Sequence, residues 1–286
     1  MNFISVRRLF ARLQPREAGL LGVLVLFTLL ALFGPGLPKS LSATPVFADS
    51  RHWHGLPNAM DVLSNLPFLA LGLWGLVKLH LLDHAQGHAP GAPTRHALAE
   101  PPADALDCAW LFFAGLVLTA AGSSFFHLHP DALRLSADRA GMAVAFAGLI
   151  GVAVSERISL RAGWPVACFA LAAGLLAVAV CHETGNVLPW AVVQFGGMLL
   201  VLGLALLRPV DGALGLKLGW VIFFYALAKL FEAADGAIYE ATRHLVAGHS
   251  LKHLIAALAA LPVLHCLRTA MPEAVRHNSG TATVSA

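Results

Sequence analysis

Two short segments of the sequence place a serine and three histidines at helical spacing. Ser123 and His127 are four residues apart in GSSFFHLHP, and His249 and His253 are four apart in GHSLKH. Residues four apart lie on the same face of an α-helix. Two imidazoles on one helical face can bind one metal ion together, as in the HExxH zinc proteases. A third imidazole from another helix would complete a three-histidine zinc site with an open position for water.

An aspartate follows the first of these segments. Asp138 stands eleven residues after His127, in LSADRAGM. Zinc lowers the pKa of a bound water towards ~7 and polarises a carbonyl group. Asp138 is therefore a candidate general base, and Ser123 is a candidate hydrogen-bond donor to the water or to a developing oxyanion. Each residue alone also has a structural interpretation, since a serine can serve helix packing and an aspartate can stabilise a helix N-terminus.

The chain that must position these residues is strongly apolar. Of its 286 residues, 58% are hydrophobic and 12% are charged, which is far from the composition of a soluble domain. The apolar residues form eight runs, each close to the ~20 residues that a helix needs to cross a membrane. These runs cover residues 18–34, 59–80, 105–127, 138–155, 163–181, 188–207, 216–234 and 248–268. The sequence therefore predicts an all-α, polytopic transmembrane helical bundle.

The basic residues orient these runs in the membrane. With the N-terminus inside, the inner segments hold twelve basic residues and the outer segments hold five, as the positive-inside rule requires. The inner ones are Arg7, Arg8, Arg12, Arg16, Lys78, Arg95, Arg157, Arg161, Arg208, Lys217, Arg268 and Arg276; the outer ones are Lys39, Arg51, Arg134, Arg139 and Arg243. Both termini are then cytoplasmic. The three histidines and Asp138 all fall at the outer ends of their runs, at one depth.

The first run has an alternative interpretation. A basic N-terminus followed by an apolar stretch is also typical of a signal peptide, here with VFA before Asp49 as the cleavage site. The distance between the apolar run and that site is long for a signal peptide, which favours an uncleaved helix. No phosphate-binding loop and no aromatic-basic pattern points to a nucleic-acid partner.

The motifs together resemble a known family. SSFFH, ADR and GHSLKHLIAALAA, in that order, resemble the alkaline ceramidases, which share a seven-helix superfamily with the progestin and adipoQ receptors and the lipid-remodelling proteins of GPI anchors. NAMDVLSNLPFLALG, residues 58–72, resembles the start of the first core helix. The resemblance implies a seven-helix ceramidase-like domain at 46–270. An N-terminal tail and extra helix at 1–45 would precede it, and a polar tail at 271–286 would follow.

The resemblance also implies a function. His127, His249 and His253 would bind zinc, and Ser123 and Asp138 would stand beside the metal. A zinc-activated water would cleave the amide bond of a ceramide or a related N-acyl lipid, releasing a fatty acid and an amine. The protein would be an integral protein of a bacterial inner membrane, with a membrane lipid as its substrate and the metal site near the outer face.

The eukaryotic ceramidases bind calcium through acidic and tryptophan residues before the first core helix. Here Asp49, Asn58, Asp61 and Asn65 offer oxygen ligands in that region, but with fewer carboxylates. Calcium prefers several oxygen ligands. The sequence leaves a calcium site open beside the alternative that Asn58 and Asp61 cap the helix.

Other classes of protein use some of the same residues. Ser123, His127 and Asp138 could act without metal as a serine hydrolase triad, which would leave GHSLKH unexplained. A metal-binding seven-helix receptor or lipid-binding protein would need no hydrolysis, and the sequence separates it poorly from an enzyme. A haem protein with two axial histidines would leave Ser123 and Asp138 without a role.

Three charged residues inside or beside the apolar runs need partners. Lys229 and Glu232 are one helical turn apart in KLFEAADGAIYE, which predicts an ion pair that either supports the site or is structural. Lys252 follows the first residues of the last run. We expect its side chain to extend to the outer interface.

Overall fold

The structure, a computed structural model, describes residues 13–38, 40, 47–87 and 103–270. Of the described residues, 78% are helical and none lies in a β-strand, which confirms the all-α class. The predicted polar tail at 271–286 lies outside the described residues, as does the start of the N-terminal tail.

Eleven helices follow one another along the described residues. They are α1 (Pro15–Phe33), α2 (Ala59–Leu63), α3 (Leu66–Gly87), α4 (Ala103–Leu128), α5 (Ala132–Arg157), α6 (Gly163–Thr184), α7 (Leu188–Ala205), α8 (Leu218–Ala233), α9 (Asp235–Ala241), α10 (Gly248–Leu258) and α11 (Leu261–Ala270). A short 3₁₀ turn, Leu160–Ala162, precedes α6, and residues Val192–Gly196 within α7 are π-helical.

Seven helical segments among the described residues are long and apolar enough to cross a membrane. They are Pro15–Phe33, Ala59–His84, Ala105–Leu128, Ala132–Arg157, Leu160–Thr184, Leu188–Ala205 and Gly248–Leu267. These segments match seven of the eight predicted runs and confirm the polytopic helical bundle. The remaining run, 216–234, forms α8 with 16 residues. A helix of that length covers about 24 Å, less than the ~30 Å hydrocarbon core.

The predicted boundary of the fourth run is wrong at its start. The run begins at residue 138, whereas α5 begins at Ala132, after an N-cap at Asp131 whose carboxylate accepts a hydrogen bond from the Arg134 N–H at 2.8 Å. In the first two turns of α5, Arg134 and Ser136 interrupt the apolar residues, so the apolar run is recognised only further along the helix. Asp138 therefore lies within the helix, and the interpretation as a helix N-terminal acid is incorrect.

Glycines bring α4 and α5 into backbone contact. A Cβ atom added at Gly148 would lie 2.2 Å from the Phe112 nitrogen, and one at Gly122 would lie 2.5 Å from the Ala137 oxygen. Small residues allow such close helix packing in membranes. Because Gly122 precedes Ser123 and also approaches the Cα atom of Asp138, at 3.1 Å from its added Cβ, this contact sets Ser123 and Asp138 at the same level.

Helix α1 is joined to the rest of the bundle by a buried carboxylate. Glu17 accepts hydrogen bonds from the Arg161 guanidinium and the Ser159 hydroxyl, both at 2.6 Å. Leu20 and Phe27 of α1 pack into or against the main hydrophobic core. Helix α1 is thus packed against α7 and the turn that precedes α6.

Candidate metal centre

The three predicted histidine ligands come together in the structure. His127 at the end of α4 meets His249 and His253 from the start of α10, and their ligand nitrogens all lie within 4.8 Å of one another. The side chains are almost fully buried, with 1%, 6% and 4% of the residue surface exposed. Three buried imidazoles at this separation can hold one metal ion. Among the described residues, no other histidine, cysteine or carboxylate cluster has this geometry.

The distances between the imidazoles fit a tetrahedral metal. Two nitrogens that each lie 2.0–2.1 Å from a tetrahedral ion are about 3.3 Å apart. The Nε2 atoms of His127 and His249 are 3.3 Å apart. A metal ion would satisfy both lone pairs at this separation.

Asp235 determines where α10 begins. Its Oδ1 atom accepts a hydrogen bond from the His249 N–H at 2.7 Å, and its Oδ2 atom accepts one from the Ala48 N–H at 3.0 Å. Gly248 lies against α8, since a Cβ atom there would lie 2.2 Å from the Phe231 oxygen. The free N–H groups at the start of a helix need such partners. Asp235 supplies one of them and thereby holds His249 in place.

Ser64 orients the imidazole of His253. The Ser64 hydroxyl donates to the Asp61 carbonyl oxygen at 2.9 Å, and its oxygen lies 2.7 Å from His253 Nδ1. Because the hydroxyl has a single proton, its oxygen accepts from the Nδ1–H group. His253 Nε2 then keeps its lone pair, and this atom faces the other two histidines. Ser64 lies in the break between α2 and α3, a position that the sequence motifs did not indicate.

Asp61 stands behind His127. The Asp61 side chain is fully buried, and its Oδ2 atom lies 3.9 Å from His127 Nδ1, about 1 Å longer than a hydrogen bond. Neither of these two atoms has another hydrogen-bond partner among the described residues. The second carboxylate oxygen accepts from the Ser250 hydroxyl at 2.7 Å. Metal-binding histidines usually direct their other nitrogen at such a carboxylate, so Asp61 fits the role of orienting His127.

We expect Asp61→Asn to weaken metal binding by about 10- to 100-fold, the range found when groups behind metal-binding histidines are replaced. The amide keeps the size of the side chain and an acceptor for Ser250, but it loses the charge that faces His127. Competition with a chelator measures the affinity. Asp49→Asn is the matched control, since Asp49 pairs with Arg51, and an equal loss in both variants would contradict the assignment.

Ser123 and Asp138 are brought to the cluster as predicted. The Ser123 hydroxyl lies 3.5 Å from His253 Nε2 and stands beside the Asp138 carboxylate. Both residues line the same cavity as the three histidines. A carboxylate beside a metal-sized cluster can exchange protons with a water or substrate there.

The metal-free triad does not match these contacts. In a serine hydrolase the histidine lies between the serine and the aspartate. Here Ser123 stands beside Asp138, and the imidazole nearest its hydroxyl is His253, at 3.5 Å. His127 instead directs Nδ1 at Asp61 and Nε2 at His249. The order of contacts therefore favours the metal-centred interpretation of these residues.

The three charged residues form one network at the edge of the cluster. Lys252 Nζ donates to Glu232 Oε1 at 3.0 Å and lies 3.1 Å from His249 Nε2, and Lys229 pairs with the other oxygen of Glu232. The expectation that Lys252 extends to the interface is wrong, because Glu232 draws its ammonium group into the cavity wall. The predicted pair of Lys229 and Glu232 is confirmed, and it supports the site through Lys252.

The four residues considered for calcium have other contacts. Asp49 pairs with Arg51 at 2.7 Å; burial raises the pKa of the Asp49 carboxyl, but the hydrogen bonds from Arg51 outweigh this and hold its pKa below the usual value. Asn58 donates to the His127 carbonyl oxygen at 2.8 Å, and Asn65 donates to the Asp61 carbonyl oxygen at 2.9 Å. The capping alternative is wrong for Asn58, which makes no side-chain cap. A calcium site here stays a prediction.

The cluster opens into a cavity of about 590 Å³, within the range of small-molecule sites. Its polar wall includes the histidines and Asp138, and its apolar wall continues along the same helices. On α4, Phe112 lies fifteen residues before His127, which corresponds to about 22 Å. On α5, Leu149 lies eleven residues after Asp138, or about 16 Å. The cavity is therefore elongated, with most of its polar groups at the end that holds the histidines.

The comparisons with known proteins add no family assignment. No protein-family model matches this chain, and no curated protein matches it. The fold and the site define the class by themselves: an all-α protein whose described residues include seven membrane-length apolar helices and a group of three buried histidines that can bind a metal ion.

Proposed function

We propose that this protein is an intramembrane zinc-dependent hydrolase that cleaves the amide bond of ceramide or a related N-acyl lipid. The observation that carries the proposal is the buried three-histidine cluster at the polar end of an elongated apolar cavity. Asp138 beside the metal ligands supplies the proton-transfer group that a hydrolase requires. The resemblance to the alkaline ceramidases supports the same reaction.

Zinc is the metal that this ligand set suits best. Imidazole nitrogens favour zinc, copper, iron and nickel over the hard cations magnesium and calcium. A three-histidine set leaves one tetrahedral position open, which is typical of catalytic zinc sites. When bound, the zinc supplies Lewis-acid polarisation of a carbonyl group and activation of a water molecule.

The residues of the chain would provide the remaining steps. Asp138 accepts a proton from the attacking water and delivers it to the nitrogen of the departing amine, so that one carboxylate serves first as base and then as acid. Ser123 stands beside Asp138, where its hydroxyl would donate to the carboxylate and hold it in position. The positive charge of Lys252 stabilises the negative charge that develops on the carbonyl oxygen.

The cavity would accommodate the chains of the substrate. Its length along α4 and α5 suits a long apolar chain, and the apolar lining removes that chain from contact with water. With α8 counted as a crossing, the positive-inside rule favours cytoplasmic termini and a metal site near the outer face of a bacterial inner membrane. A substrate of this kind can reach the site without leaving the bilayer.

Hydrolysis of defined lipids by the detergent-purified protein tests this proposal. The panel contains a ceramide, other N-acyl amines with the same acyl chain and the corresponding ester, and mass spectrometry measures the released fatty acid. We expect release from at least one amide, loss of activity with a chelator and recovery with added zinc. A folded, zinc-loaded protein that releases no fatty acid from any amide would contradict the enzyme and favour a lipid receptor or carrier. Preference for the ester would correct the bond type alone.

A further inference from the structure

Two polar side chains interrupt the apolar part of the cavity. Gln194 from α7 and Tyr225 from α8 both line it, among residues such as Phe146 and Met198. Gln194 is buried, with 8% of its surface exposed. A buried amide and a buried hydroxyl in apolar surroundings are unfavourable unless they find hydrogen-bond partners.

The Tyr225 hydroxyl lacks such a partner. It is buried and makes no hydrogen bond within the described residues, although the Gln194 side chain lies nearby. The aromatic ring is held from one side by Phe146, whose ring centroid lies 5.9 Å away at 79°. The hydroxyl thus retains the capacity to donate one hydrogen bond and to accept others.

The backbone around Gln194 has an unusual conformation. Residues Val192–Gly196 form a π-helical turn within α7. Such turns are rare and frequently occur at functional sites. The turn also changes which residues of α7 face the cavity, since both Gln194 and its neighbour Phe195 line it.

Tyr225, and with it the pair that it forms with Gln194, lies about 10 Å along the helix axes from the metal centre. Tyr225 is seven residues before Glu232 on α8, and Glu232 bonds to Lys252 beside His249. Seven residues of helix correspond to about 10 Å. Phe146, which contacts Tyr225, is eight residues after Asp138 on α5, or about 12 Å. Both helices therefore give the same depth, along the path that a substrate chain would take.

We propose that Gln194 and Tyr225 form a subsite for a hydroxyl group carried within a lipid chain, about 10 Å from the bond at the metal centre. The inference rests on the proposed function for the identity of the substrate but not for the binding of the chain. A hydroxyl group both donates and accepts hydrogen bonds, as do the Gln194 amide and the Tyr225 phenol. An anionic group is less suited, because the nearest cation along α8, Lys229, is paired with Glu232.

Binding of free fatty acids tests the subsite without any hydrolysis. The probes are octadecanoic acid and the positional isomers of hydroxyoctadecanoic acid, each with one hydroxyl at a different chain position. They are bound to the full-length protein in nanodiscs. We expect one mid-chain isomer to bind about 10-fold more tightly than the unsubstituted acid, as one or two buried hydrogen bonds imply. Tyr225→Phe and Gln194→Leu should each reduce this preference, and the two together should remove it.

Tyr239→Phe is the matched control, since Tyr239 lies on α9 and does not line the cavity. Thermal unfolding of each variant shows whether it folds, and Tyr225→Phe keeps the aromatic ring packed on Phe146. The proposal is overturned if no hydroxyl position is preferred, if neither acid binds, or if the preference survives both substitutions. These outcomes are independent of the enzyme, because hydrolysis of an unsubstituted N-acyl lipid tests the metal centre alone.

Discussion

His253→Ala is expected to remove the metal and to reduce hydrolysis by at least ~10³-fold. The wild-type protein should contain about one zinc per chain, since three buried imidazoles form a single site. Two remaining histidines hold zinc far less tightly, and the Lewis acid contributes several kcal/mol to the reaction, which corresponds to at least ~10³ in rate. Elemental analysis of the detergent-purified protein and fatty-acid release measure the two effects.

The control for this substitution is His129→Ala, at a histidine two residues after the proposed ligand His127. His129 lies at the same end of α4 as His127, but 76% of its side chain is exposed. His129→Ala should retain both zinc and activity. Size-exclusion chromatography and thermal unfolding would establish that both variants fold. Stoichiometric zinc in His253→Ala, or a folded wild-type protein without zinc, would refute the metal centre as assigned.

Asp138→Asn is expected to separate catalysis from metal binding. The amide cannot accept the proton of the attacking water, and loss of a general base typically reduces the rate by about 10²–10⁴-fold. Zinc content should stay the same, because Asp138 contacts Ser123 and is not part of the three-histidine cluster. Initial rates of fatty-acid release and zinc content from the same preparation provide the comparison.

Asp131→Asn is the matched change on the same helix. Asp131 caps α5, and asparagine is an equally good N-cap, so this variant should keep its activity. Simultaneous loss of zinc and activity in Asp138→Asn would show that Asp138 helps to hold the metal. Unchanged activity would exclude Asp138 as the base and leave proton transfer to another residue of the cluster.

Much of the fold could be predicted from local properties of the sequence. The free energy of transferring an apolar run into the bilayer depends on the residues of that run alone, so each membrane helix can be predicted separately. The number of membrane crossings is harder to predict, because α8 is shorter than the seven membrane-length segments and is separated from α9 by a break at Ala234. Hydropathy also missed the start of α5, because Arg134 and Ser136 interrupt its apolar residues and the capping Asp131 marks where the helix begins.

The candidate site likewise contains residues that local sequence patterns predict and residues that only tertiary packing brings there. In each motif two polar residues are four residues apart, and both motifs lie at the outer ends of their apolar runs. These two observations predicted that His127, His249 and His253 would meet. The residues that orient them could not be predicted in this way. Ser64 reaches His253, and Asp61 reaches His127, only because α2 and α3 pack beside α10 and α4. No local sequence pattern indicates that these helices are neighbours.

The sequence by itself determined the class of the protein, the run of helices and the set of imidazoles, because hydrophobicity and helical periodicity act over a few residues at a time. The tertiary structure decided the rest. Gly122 and Gly148 let α4 and α5 touch, which brings Ser123 to Asp138. Glu232 turns Lys252 inward to His249. These outcomes depend on distances between helices remote in sequence, which packing and buried hydrogen bonds set together.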